Sequence, residues 1–203
     1  MQVRELTDLH GAAEGLLRLE RDSFPQPWTT ADFELLAADD RALNVGLWCG
    51  SELTGYALGY VEEGSRFHLA SLAIDPASRR QGWGSRLLRE VLLKAMSRGC
   101  RTCRLEVRRS NSAAIALYDR FKFQQTAIVQ RFYTSPCEDA LVMERELESI
   151  VQGDCRRIRA PHFETTSATT ARHCLEQHLA QKPTAPSLSA TSRIDGQTGE
   201  MKS

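Results

Sequence analysis

Residues 75–86 read Asp75-Pro76-Ala77-Ser78-Arg79-Arg80-Gln81-Gly82-Trp83-Gly84-Ser85-Arg86, and their types suit them to hold an anion. The short apolar run at 71–74 reads as a strand, and Asp75-Pro76 ends it. Apolar residues then return at helical spacing through Leu87, Leu88, Val91 and Leu92. A helix that begins near Gly82 leaves its first N–H groups without intrahelical partners and places the positive end of its dipole there. That combination favours a phosphate or pyrophosphate. Glycine at 82 and 84 removes the Cβ atoms that would keep a phosphate away from the backbone. The Gly-x-x-x-x-Gly-Lys-Ser/Thr spacing of a P-loop is absent, and Leu87 stands where a dinucleotide fingerprint needs its third glycine. The plainer reading of the two glycines is an ordinary turn.

Glu106 and Tyr118 can each be read either as a residue that moves a proton or as an ordinary structural one. Glu106 lies in Leu105-Glu106-Val107-Arg108. In an apolar strand, desolvation raises a carboxyl pKa towards neutrality where no cation offsets it. Pairing with a neighbouring arginine is the competing reading. Tyr118 follows Asn111 in a helical pattern, where an aromatic residue is ordinarily core, although a phenol with a pKa near 10 is also a proton donor. The six cysteines stand at 49, 100, 103, 137, 155 and 174, too sparse for a disulfide framework. Cys100 and Cys103 have the spacing of a metal or redox pair, but strand alternation would turn their thiols to opposite sides, and no second pair exists. The five histidines form no ligand spacing, so no metal is expected.

These groups must be positioned by the rest of the chain. A strand at 2–6 precedes a helix from Asp8, with Leu16, Leu17 and Leu19 as its apolar material. Phe24-Pro25-Gln26-Pro27-Trp28 is then an extended connection, since its two prolines lack N–H donors. Thr29 or Thr30 caps a second helix through Leu36. Strand-like runs at 42–49, 53–61 and 66–74 are joined by hairpins at Gly50-Ser51 and Glu63-Gly64-Ser65. The helix after the phosphate loop ends at Gly99. A strand at 104–108, a helix from Asn111, and strands at 124–131 and 140–147 follow. The order implies a mixed, mostly antiparallel sheet of seven strands flanked by about four helices.

A chain of 203 residues with 41% hydrophobic and 26% charged residues suits one domain and possibly a tail. Residues 1–149 form the expected domain. Residues 150–203, rich in Ser, Thr, Pro and Ala, are expected to be a disordered extension. The formal net charge is zero, yet residues 79–109 hold ten Lys/Arg against only Glu90 and Glu106. That excess could balance a polyphosphate or face RNA, but part of it is ordinary solvated surface, and no specific nucleic-acid partner follows. No apolar run approaches the roughly 20 residues that span a bilayer, and Met1-Gln2-Val3-Arg4 opens no signal-peptide core. A cytoplasmic protein without a membrane partner is expected.

Arg79-x-x-Gly82-x-Gly84 behind a strand resembles the acetyl-coenzyme A loop of the GNAT acetyltransferase superfamily. Ala73-Ile74-Asp75-Pro76, Arg80-Gln81-Gly82, Leu105-Glu106-Val107-Arg108 and the run Ser110 to Tyr118 resemble its RimI-like branch, which acetylates the amino-terminal alanine of small-subunit ribosomal protein eighteen. The resemblance covers about residues 4–147 and implies acetyl-coenzyme A as co-substrate. It implies that the backbone at Leu72, Ala73 and Ile74 lies along the pantetheine and thioester. It further implies that Arg80, Gln81, Gly82, Trp83, Gly84 and Ser85 wrap the pyrophosphate, and that Asn111 contacts the coenzyme. Glu106 falls at the general base and Tyr118 at the general acid. Attack is then direct, as none of the cysteines has an evident partner base for an acyl-cysteine. Trp28 and Tyr133, the latter in a loop at 131–136, are the candidate acceptor contacts, each also readable as packing. Gln26-Pro27 departs from the shorter phenylalanine-proline-tryptophan of the type enzyme. A small-molecule amine as acceptor, or a noncatalytic coenzyme A or RNA module, are the rival functions.

Overall fold

The computed structural model describes residues 1–147; the expected extension at 150–203, and the boundary before it, lie outside the described residues. The elements follow as β1 (Gln2–Glu5), α1 (Ala13–Ser23), α2 (Thr30–Ala37), β2 (Ala42–Cys49), β3 (Glu52–Glu62), β4 (Arg66–Ile74), α3 (Trp83–Ser97), β5 (Thr102–Arg108), α4 (Ser112–Arg120), β6 (Gln124–Thr134) and β7 (Cys137–Glu146). Every residue of β3 from Leu53 to Tyr60 is buried, so the sheet is covered on both faces. The expected order of elements and the mixed, mostly antiparallel sheet are both found.

One face carries α3 and α4, the other α1 and α2. Leu87, Leu88, Val91, Leu92 and Ala95 form the buried stripe of α3 and pack with Leu43, Val45, Leu47 and Phe67 of the sheet. Leu16 and Leu19 of α1 join Phe33 and Leu36 of α2 over Tyr56, Leu58 and Tyr60. Thr29 caps α2 in a full capping box with Asp32. Cys100 and Cys103 both enter the α3-side core as free thiols. The expectation that they face opposite sides fails because β5 begins only at Thr102, so Cys100 lies ahead of the strand alternation.

The strand order is β1-β2-β3-β4-β5-β7-β6. All pairings are antiparallel except β4 with β5, which joins only residues 66–68 to residues 102–104. Beyond His68 and Arg104 no further pairs form, although β4 continues to Ile74 and β5 to Arg108. The two strands therefore part like a fork. A bulge in β4 accompanies the parting: Gly59 pairs with Leu69 but Leu58 with Ser71. The extra residue turns Phe67 and Leu69 towards α3, and Ala73 towards α1. Gly59 permits the bulge, since a Cβ there would stand 2.2 Å from the His68 carbonyl oxygen. Among the described residues, no helix is long and apolar enough to cross a membrane.

Candidate active site

The fork opens a cavity of about 200 Å³. Leu72 comes to it from β4, Glu106 from β5, and Asn111 and Tyr118 from the start and body of α4. Trp28 and Tyr133 line the same space. Six of the residues singled out from the sequence thus meet in one place.

The loop beyond β4 is held from both sides. Asp75 accepts from the Ala77 N–H and from Arg18 Nη1 at 2.6 Å, and the Arg18 hydrogen bond holds the Asp75 carboxyl below its usual range. Arg79 Nε donates to the Ile74 carbonyl at 2.9 Å while its Nη2 reaches Ser23 Oγ at 3.1 Å. Arg80 and Gly82 both adopt positive φ, at 59° and 85°. Gly82 caps α3, whose first bond runs from the Arg86 N–H to the Gly82 carbonyl. The amides of Trp83, Gly84 and Ser85 accordingly lie ahead of the helical ladder. Gly82 and Ser85 border a second recess together with Arg86, Arg89 and Glu90. Open amides, a helix N-terminus and two guanidinium groups fit the diphosphate of a coenzyme.

The two loop glycines differ from the expectation. A Cβ at Gly84 would point inward, 3.6 Å from Leu117 Cδ2 and 4.0 Å from Ile74 Cγ1, so this glycine does not bare the backbone to a phosphate. Gly82 meets open space, and its requirement for glycine comes from its left-handed backbone. Ala73 and Ile74 are buried in the sheet, which leaves them only backbone to offer a ligand. Arg80 and Gln81 are exposed on the loop, and Trp83 packs partly against the core. The Asn111 side chain caps α4 by accepting from the Ala114 N–H at 3.1 Å.

Glu106 is half-buried and fully engaged. His68 Nε2 lies 2.7 Å from Oε2, and Arg104 donates to Oε1 from Nε at 3.0 Å and Nη2 at 2.9 Å. Burial alone would raise the Glu106 pKa; the hydrogen bond and charge of His68, joined by Arg104, outweigh it and leave the carboxyl below its ordinary value. The sequence-based expectation of an upward shift held only without a cation, and the structure supplies the Arg104 guanidinium with the His68 ring beside it. The carboxylate can only accept, so the His68 nitrogen facing it carries hydrogen, and Tyr60 Oη stands 2.8 Å from the other ring nitrogen. Burial raises the Tyr118 phenol, which stays protonated at neutral pH. Tyr133 is likewise pushed up to about 12, mainly by burial.

The loop expected at 131–136 is mostly strand. β6 runs to Thr134 with its register shifted between Val129 and Tyr133, which leaves the turn at Ser135-Pro136. The Arg108 guanidinium lies 4.0 Å from the Tyr133 ring centroid and so braces it as a cavity wall. Trp28 both packs on Phe33 at 5.5 Å and lines the cavity.

Sequence reasoning missed Glu20. It is buried at the cavity wall, accepting from the Trp28 N–H at 2.8 Å, Tyr56 Oη at 2.5 Å and Ser71 Oγ at 3.1 Å. One carboxylate thereby ties α1, the connection after it, β3 and β4 together. Its signal was present: Glu20 falls on the stripe of Leu16 and Leu19, where a charge on an apolar face calls for buried partners. His68, on a strand between buried Phe67 and Leu69, was missed for want of any visible partner.

The model of the acetyltransferase (GNAT) family matches residues 13–123. The [ribosomal protein bS18]-alanine N-acetyltransferase of Escherichia coli strain K12 is 34% identical over 143 residues, which cover 68% of this chain and 91% of that protein. The N-alpha-acetyltransferase RimI of Mycobacterium tuberculosis is 36% identical over 124 residues, covering 59% of this chain and 76% of that one. The crystal structure of the ribosomal-protein-S18-alanine N-acetyltransferase from Escherichia coli aligns with a TM-score of 0.66 at 30% identity, over 72% of this chain and 93% of that one.

Proposed function

Because the chain belongs to the GNAT acetyltransferase family, we propose that it transfers acetyl from acetyl-coenzyme A to the α-amine of a protein, most specifically the amino-terminal alanine of small-subunit ribosomal protein eighteen. The observation that carries this reading is the cavity at the fork, where a carboxylate and a buried phenol both meet the space between the parted strands. The names of the relatives above support the ribosomal acceptor. Such an acceptor is met in the cytoplasm.

Each group has a chemical task. The amides ahead of α3, with Arg86 and Arg89 beside them, seat the diphosphate. The unpaired edge of β4 beyond His68 receives the extended arm that carries the thioester. Glu106 stays ionised at neutral pH and attracts the α-ammonium, whose pKa of about 7.7 to 8.0 lets part of it give one proton to the solvent; the neutral amine so formed has the lone pair that attacks the thioester carbon. As the C–N bond forms the nitrogen becomes far more acidic, and Glu106 takes the proton then, directly or through a water. The C–S bond breaks, and the sulfur takes a proton from Tyr118, which the solvent later restores. Holding amine and thioester side by side makes the attack effectively unimolecular.

Incubation with acetyl-coenzyme A and a peptide beginning Ala-Arg should add one acetyl group, and fragmentation should place it on the first residue. Label on a lysine, or on a small amine alone, would reject the α-amine acceptor.

A further inference from the structure

The cavity has walls from two distant segments, the connection after α1 and the end of β6. Gln26 joins them: its Nε2 donates to Thr134 Oγ1 at 2.8 Å, and the Ser135 N–H donates to its Oε1 at 3.3 Å. Gln26 also lines the cavity. Both bonds are exposed, so water competes for them and the strap opens readily. The two proline neighbours of Gln26 have no N–H, which leaves its side-chain amide as a prominent polar group on that rim. The strap consists of a primary amide, a hydroxyl and a backbone N–H. These are the groups that pair with a peptide bond, and they stand where a chain entering the cavity would pass.

We propose that the strap is exchanged when the acceptor binds. The Gln26 amide and the Ser135 N–H release one another and pair with the first peptide unit of a protein whose amino terminus enters the cavity. Gln26 is then an acceptor-binding residue that recognises a peptide over a simple amine. The inference rests on the α-amine acceptor proposed above.

Two substitutions separate exchange from a mere structural clasp, because only one of them should weaken peptide binding. Binding is measured with coenzyme A present, so that nothing turns over, using a peptide beginning Ala-Arg and, separately, n-propylamine. Gln26→Ala should weaken peptide binding about fivefold, the scale of one neutral hydrogen bond, and leave n-propylamine unchanged. Thr134→Val removes one of the two bonds that hold Gln26 in the strap and should leave peptide binding equal or tighter. In the parent protein the amide resonance of Ser135 should shift on adding peptide and stay put with n-propylamine. Equal weakening by both variants, or no change with Gln26→Ala, overturns the exchange. A parent protein that binds peptide with this pattern yet transfers no acetyl group contradicts the proposed function while supporting the strap. Transfer with binding unaffected by Gln26→Ala does the reverse.

Discussion

The proposed coenzyme half and the proposed acceptor half of this molecule are built by different means. Residues 71–86 form the proposed diphosphate seat from consecutive backbone: a strand that leaves its parallel partner, a left-handed Gly82, and a helix start. The acceptor half is assembled from side chains far apart in sequence, such as Glu20 on Tyr56 and Ser71, and Gln26 on Thr134. A seat made of amides tolerates changes of side chain so long as the backbone holds its shape. A wall made of side-chain bridges changes with a single substitution. The first half is therefore suited to a constant ligand and the second to a particular acceptor.

That contrast can be broken most forcefully at Glu106, where the two halves meet. Glu106→Gln should lower turnover about 10²- to 10⁴-fold, the range of general acid–base contributions, and leave coenzyme affinity nearly unchanged; Tyr118→Phe should act the same way more mildly. Steady-state kinetics with both substrates varied would check this, and a large loss of coenzyme binding in both variants would remove the assigned roles. Gly82→Ala probes the backbone-made half. Its φ of 85° costs a residue with a Cβ about 1–2 kcal/mol. Coenzyme KM should rise by roughly tenfold with acceptor KM unmoved; the opposite split would mean that the loop serves the acceptor.

The smallest expected effect concerns stability at the junction. The folded-state pKa of Glu106 is lowered, so its contribution is present above the unfolded carboxyl value of about 4.3 and disappears as pH falls through the folded value. Unfolding midpoints of the parent and Glu106→Gln should differ most near neutrality and converge as pH falls from about 4.3 through the lowered folded value. A difference that does not vary with pH would mean that the ties from His68 and Arg104 are energetically silent.

The same contrast explains what was legible in the sequence. The order of elements along the chain and the start of α3 follow from local patterns of alternation, helical spacing, glycine and proline, whereas the grouping of Glu106 with Asn111 and Tyr118 comes from the resemblance to the family. The pKa direction at Glu106 was readable only in part: Arg104, two residues away on the same strand face, was the competing reading, whereas His68 arrives from 38 residues away. Gly84 was misread because a glycine in sequence does not say which way its missing Cβ would point. The end of β6 read as a loop because Ser135-Pro136 marks a turn, whereas the irregular register before it keeps Phe132 and Tyr133 on the strand. Gln26 stood out as a departure, but its partners were 108 and 109 residues away.

The central claim is that the parted strands β4 and β5 receive the thioester between Glu106 and Tyr118, with the diphosphate on the amides at the start of α3. A crystal structure with bound acetyl-coenzyme A tests it most directly. Phosphate oxygens should lie within hydrogen-bond distance of the amides of residues 82–85, the sulfur within reach of the Tyr118 hydroxyl, and the acetyl carbon should face the cavity beside Glu106. A diphosphate bound elsewhere, or a sulfur remote from both side chains, would contradict it.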